Sequence, residues 1–204
     1  MQSRGDVSMK HLISCDCGSF QGEVIDCTVG VRAVCYCKDC QIFAAYLGKT
    51  DTILDQVGGT EVVGLRHSNI RFIDGVENLR CISLNSKGLL RWYTNCCKTP
   101  IGNTPRNFKV SHIGLIHNCI EGTSSDLEKS FGPIKLRVNT HSAKKPVKAL
   151  KASLSLVAQY LLSIAKQLLS NRYKSSPLFS ESGEPLVEVR VLTKEQHKKL
   201  SNVV

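Results

Sequence analysis

Along the first 140 residues, apolar and polar positions trade places over short distances, and glycine cuts the pattern about every ten residues. The breaks fall at Gly18, Gly22, Gly30, Gly48, Gly58, Gly59, Gly64, Gly75, Gly88 and Gly102. Between them, residues 22–25, 29–34, 70–73, 79–84, 89–93 and 110–116 are rich in β-branched and aromatic side chains, several alternating with polar ones. This rhythm predicts a mainly β domain of short antiparallel strands, a small sandwich or an open barrel. Residues 37–47, opened by Asp39 and Cys40 and closed at Gly48, predict a helical turn, and Gly58-Gly59 predicts a hairpin turn.

From about residue 143 the period changes. Val147, Leu150, Leu154, Val157, Leu161, Ile164 and Leu168 alternate spacings of three and four, an apolar seam of helical period. Leu156, Leu162 and Leu169 widen it, while Ser155, Gln159, Ser163, Lys166 and Gln167 keep the opposite face polar. Pro146 suits a first helical turn, where its missing N–H costs nothing. Asn171 and Ser175-Ser176-Pro177 end the helix. A stripe this wide packs on its parent domain or on a second copy, which would make a homodimer through residues 147–168. Residues 186–192 read as one more strand. Residues 193–200 read as a short helix capped by Thr193, with Gln196 completing a capping box. The chain therefore divides into a β domain, residues 1–142, and a basic helical extension, residues 143–204.

Charge adds little to this picture. Of the net +10, residues 143–204 carry 11 Lys/Arg against 4 Glu, and residues 1–142 carry 16 against 13 acidic residues. A solvated lysine-rich face accounts for the excess. With 6% aromatic residues and no recognisable motif, a nucleic-acid partner is not expected. Residues 1–10 carry no apolar core of a secretory signal, and no run approaches the ~18 apolar residues of a membrane span. The expected location is the cytoplasm, with no membrane partner. There, close-set cysteines bind metal more often than they pair.

Seven of the ten cysteines stand in three clusters: Cys15-Asp-Cys17-Gly18, Cys35-Tyr-Cys37-Lys-Asp-Cys40 and Asn95-Cys96-Cys97-Lys98. Zinc takes four tetrahedral ligands, and short spacings let one turn supply two thiolates to the same ion. The glycine after Cys17 permits a tight knuckle. Seven divides into four plus three. A four-thiolate site is closed and structural, while a three-ligand site leaves a position for water, thiol or substrate. Cys35, Cys37 and Cys40, from one short segment, are the natural open set. Adjacent residues on a strand face opposite ways. Cys96 and Cys97 therefore share an ion only if the backbone turns there; otherwise Cys96 faces the second site. Cys27, Cys81 and Cys119 read as buried, packed thiols.

The same order of motifs resembles the glutathione-dependent formaldehyde-activating enzymes, also called the centromere protein V-like family. The likeness is carried by Cys15-Asp-Cys17-Gly18, by Cys35-Tyr-Cys37-Lys38-Asp39-Cys40, and by Arg91-Trp92-Tyr93 through Cys97-Lys98-Thr99-Pro100, and it spans roughly residues 10–120. It implies a β-tent fold. It also implies a structural zinc on Cys15, Cys17 and Cys97, and a second zinc on Cys35, Cys37 and Cys40 that acts on substrate. Thr94 and Lys98 stand where that family has a cysteine and a glycine, so Cys96 would supply the fourth structural ligand. The implied activity is that of a zinc-dependent carbon–sulfur lyase acting on the adduct of a glutathione-type small thiol. The competing reading is a non-catalytic zinc module that docks on a protein partner through its C-terminal helix.

Four further residues bear on the site. His67 stands in a loop that the resemblance would bring near the second zinc, whereas the scattered histidines read generally as surface or core groups. Lys98, beside two thiolates, either lowers their pKa or caps a solvent-exposed turn. Arg91 and Trp92 read as packing residues that order the metal loop.

Overall fold

A computed structural model describes residues 11–27 and 30–204. The start of the predicted 29–34 strand and the 1–10 segment lie outside the described residues.

The chain opens with three short strands, β1 His11–Ser14, β2 Gln21–Val24 and β3 Val31–Cys35. Two helices follow, α1 Lys38–Leu47 and α2 Thr50–Ile53. Next come β4 Thr60–Leu65, β5 Ile70–Asp74, β6 Leu79–Ser83, β7 Leu90–Thr94, β8 Pro100–Thr104 and β9 Ile113–Ile116. The remaining elements are α3 Ser124–Phe131, β10 Leu136–Val138, α4 Leu154–Leu169, β11 Val189–Val191 and α5 Lys194–Ser201. The fold is mostly β, as the glycine-cut rhythm predicts. Strands β1, β2 and β5 form one sheet, and eight strands form the other in the order β10-β3-β4-β9-β8-β7-β6-β11. Its inner pairs are antiparallel, but both edge pairs, β10 with β3 and β11 with β6, are parallel. These edges come from distant segments, which a pattern of local alternation does not reveal.

Period-two alternation sends the side chains of the central strands of the large sheet into two cores. On one face Leu90 and Trp92 of β7, Val63 and Leu65 of β4, and Ile113 and Leu115 of β9 meet Ile13, Phe20 and Val24 of the small sheet. On the other face Tyr93, Ile82 and Ile116 pack under Ile42, Phe43 and Leu47 of α1. All five residues of β7 are buried, which is why its sequence Leu-Arg-Trp-Tyr-Thr shows no polar face. Trp92 is fully buried, and its Nε1 donates to Thr104 Oγ1 at 2.9 Å. Truncating such a side chain typically costs about 3–5 kcal/mol.

The C-terminal part departs from the predicted helix in two ways. Helix α4 starts at Leu154, eight residues beyond Pro146, because the Ser153 side chain caps it by accepting from the Leu156 N–H at 3.2 Å. Leu150 keeps helical spacing but pairs instead with Arg137 through two backbone hydrogen bonds. Much of the seam is also turned outward: Leu154, Leu161 and Leu168 are exposed, while Leu156, Val157, Tyr160 and Ser163 face the sheet. After α4, Leu178 and Phe179 enter the inter-sheet core, and β11 becomes a sheet edge. The terminal helix follows its prediction, with Thr193 and Gln196 closing a reciprocal capping box. Among the described residues no helix is long and apolar enough to cross a membrane.

Candidate metal centres

Two turns build the first cluster. The β1–β2 hairpin tightens after Cys17: the Gly18 N–H donates to Cys15 O at 2.8 Å with Gly18 at φ 75°, a conformation that favours glycine. Across from it, the chain between β7 and β8 reverses. Lys98, at φ 59°, donates its N–H to Thr94 O, and Thr94 donates its own to Thr99 O, both at 2.9 Å. This is the backbone turn on which a joint role for Cys96 and Cys97 depends. The Asp16 N–H reaches Thr99 Oγ1 at 3.0 Å and ties the two turns together.

The result is one cluster of Cys15, Cys17, Cys96 and Cys97, whose sulfurs all lie within 4.8 Å of one another. Cys15 Sγ is 3.5 Å from Cys17 Sγ and 3.7 Å from Cys96 Sγ, and Cys96 Sγ is 3.8 Å from Cys97 Sγ. A tetrahedron with metal–sulfur bonds near 2.3 Å has edges of about 3.8 Å. A disulfide would need about 2.05 Å, far shorter than any of these sulfur–sulfur distances. The donor set and spacing therefore fit a tetrahedral thiophilic ion.

The second cluster is Cys35, Cys37 and Cys40, again within 4.8 Å. Cys35 ends β3, Cys37 is the N-cap of α1, and Cys40 lies in its first turn, so the positive end of the helix faces the sulfurs. No fourth cysteine, histidine or carboxylate joins them among the described residues. Instead the cluster has hydrogen-bond donors. Asn139 Nδ2 donates to Cys35 Sγ at 3.4 Å, and Arg91 Nη1 lies 3.9 Å from Cys40 Sγ. Arg91 is 2% exposed. It also donates to Asn103 Oδ1 at 3.1 Å, lies 3.7 Å from Asp39 Oδ2 and stacks over the Phe43 ring.

Each cluster favours a thiolate. Hydrogen bonds from the Cys37 and Cys40 thiols hold Cys35 down to about 2, against the effect of burial. The same contacts, seen from the other side, push Cys37 and Cys40 up. In the first cluster burial acts to raise Cys97, but hydrogen bonds from the Thr99 and Thr94 hydroxyls outweigh it and hold it to about 5. Hydrogen bonding to Ser19 lowers Cys17, while burial raises Cys15 and pushes Cys96 up to about 12.

The other cysteines behave as packed thiols. Burial raises Cys27 and Cys119 and takes Cys81 to about 12. His67 is not at the second cluster. It is fully buried beyond the far end of β4 from the Cys35–Thr60 pairing, stacked on Phe179, with its Nε2 donating to His112 O at 3.0 Å. Lys98 directs its ammonium to Asn95 Oδ1 at 2.8 Å and over the Tyr93 ring. Sequence reasoning assigned Arg91 to packing and did not connect it to Cys40. Asn139, in a loop 104 positions from Cys35, carries no signal in the sequence.

Fold and site together define a mostly β protein with two cysteine clusters able to hold metal ions. Residues 7–190 match a family of unknown function, DUF6151, and the chain belongs to that family. Among solved structures, a crystal structure of a Rhodobacter sphaeroides protein is similar at 20% identity, covering 58% of this chain and 94% of that one, with a TM-score of 0.40. No curated protein matches the chain.

Proposed function

We propose that the chain is a two-site zinc protein, with a structural ion on Cys15, Cys17, Cys96 and Cys97 and a second, substrate-facing ion on Cys35, Cys37 and Cys40. The observation that carries this reading is the division of seven sulfurs into a closed four and an open three. Sulfur-only donors favour zinc over the hard cations that prefer oxygen. The resemblance to the formaldehyde-activating enzymes, carried by the same cysteines, suggests the chemistry: making or breaking the carbon–sulfur bond of an adduct between a small thiol of the glutathione type and a small aldehyde. A bound zinc would supply a Lewis acid with one free position.

The chain's own residues have separate tasks. Arg91 lays positive charge beside Cys40 and fixes Asp39, which is half exposed and able to meet an amine or a proton at the site. Asn139 orients the Cys35 sulfur. Purified protein should contain about two zinc ions per chain, one removed quickly by a mild chelator. Cys37→Ser should lose that labile ion, keep the fold, and lose any catalysis of adduct exchange between formaldehyde and glutathione, followed by NMR. Global unfolding of Cys37→Ser would overturn the reading, because the triple would then be structural.

A second reading is favoured by the outward apolar row on α4, where Leu154 is 90% and Leu169 87% exposed. In that case the chain is a non-catalytic zinc module whose helix docks on a protein partner or on a second copy. It would show a single tightly held zinc and no exchange activity.

A further inference from the structure

A cavity of about 550 Å³ lies between α4 and the large sheet, well within the size range of small-molecule sites. Two small residues help to open it. Ala33 of β3 and Gly64 of β4 leave the floor low, while Leu156 and Tyr160 of α4 form the roof. A Cβ at Gly64 would come within 3.1 Å of the His112 ring at the cavity wall.

The charged groups on its wall are of one sign. Arg66 lines the cavity with its guanidinium carbon 5.0 Å from the centre of the Tyr160 ring, and its Nη1 is buried with no hydrogen-bond acceptor. Lys135 is a second cation on the wall, and no carboxylate lines the cavity among the described residues. Two cations line the cavity and no described carboxylate offsets them, so its charge favours a ligand that carries an anionic group. We infer that this cavity binds an apolar molecule ending in one carboxylate, of the medium-chain fatty acid class, with the chain under α4 and the carboxylate on Arg66. The site uses none of the cysteines, so it stands or falls apart from the metal reading.

Isothermal titration of the full chain with decanoate, beside the uncharged decanol, tests this. Decanoate should bind one to one. Arg66→Met should weaken it tenfold or more while leaving decanol within about twofold, because only the carboxylate loses its partner. Leu156→Trp fills the cavity from the helix side and should abolish binding of both probes, with circular dichroism checking that the variant stays folded. Should it fail to fold, Ala33→Val, a smaller filling from the sheet side, should weaken both probes at least fivefold. The double variant Leu161→Ser, Leu162→Ser alters only the outer face of α4 and should leave decanoate affinity unchanged. Absence of saturable binding would overturn the inference. So would Arg66→Met binding decanoate as wild type does, or loss of binding in the outer-face variant, which would place the probe on the exposed leucines.

Discussion

The four-thiol cluster draws its sulfurs from two turns in different parts of the chain, with 81 positions between Cys15 and Cys96, whereas the three-thiol cluster comes from the six residues 35–40. An ion bound there would close a long loop and join the β1–β2 hairpin of the small sheet to the β7–β8 turn of the large one, helping to hold the two sheets together. The second closes almost no loop, since β3 and α1 are adjacent in the chain. Charge differs as well. Four thiolates around a divalent cation leave two net negative charges, and three leave one, with Arg91 close by to offset it. A less electron-rich ion with an open position polarises a ligand better. On the reading proposed above, thiolate count and loop length, rather than residue type, would separate a structural site from a working one.

The largest effect that can break this contrast is on stability. Cys15→Ser should unfold the protein or remove more than about 4 kcal/mol, measured by urea denaturation, because structural metal binding is coupled to folding. A loss under about 1 kcal/mol would erase the distinction between the clusters.

Acid must be separated from metal loss before the contrast can be drawn at low pH. Burial holds His67 down to about 4, below its usual 6.5. The unfolded chain therefore binds a proton there that the folded chain refuses. Stability contributed at this site is complete above about pH 6.5 and is lost as pH falls toward 4, by about 3 kcal/mol. His67→Gln should flatten that part of the stability–pH curve while leaving the zinc content at pH 7.5 unchanged.

Next in size, Arg91→Met should weaken metal binding at the triple by about 10–100-fold, as loss of an outer-shell partner does, while leaving the four-thiol ion in place. Competition with a chromophoric chelator reads both ions. Equal weakening of the two would show that Arg91 acts through the fold alone. The smallest effect is expected of Asn139→Gly, which keeps the left-handed backbone at φ 55° but removes the hydrogen bond to Cys35 Sγ. It should cost about 1 kcal/mol or less and lower affinity only at the triple.

How much of this could be read from the sequence varied with the reach of the interaction. Spacings within one turn were legible: Cys15-x-Cys17, Cys35-x-Cys37-x-x-Cys40 and the Thr193–Gln196 box all appear where their residues predict. The four-plus-three division was legible from counting alone, but the role of Cys96 depended on a turn whose left-handed residue, Lys98, is not a glycine. Helix α4 was legible in kind and misplaced in extent, because Val147 and Leu150 carry helical spacing while Leu150 is claimed by Arg137. Its orientation differs as well: Leu154, Leu161 and Leu168 of the apolar seam are exposed, while Gln159 and Ser163 of the face that reads as polar line the cavity over the sheet. Strands β1, β4 and β8 fall outside the runs that read as strands, β8 behind the Pro100 that begins it. Residues 186–192 read as a strand and contain β11, but its parallel pairing with β6, like that of β10 with β3, joins segments more than a hundred positions apart. Arg91 and Asn139 belong to the second cluster only through that long-range folding.

The central claim is that the two clusters hold metal in different ways. Anomalous scattering from crystals at the zinc absorption edge tests it most directly. The account predicts two peaks per chain: one with Cys15, Cys17, Cys96 and Cys97 as its four ligands, and one with Cys35, Cys37 and Cys40 and a fourth ligand that is not a protein side chain. A single peak at the four-thiol cluster, or a protein side chain completing the second site, would contradict it.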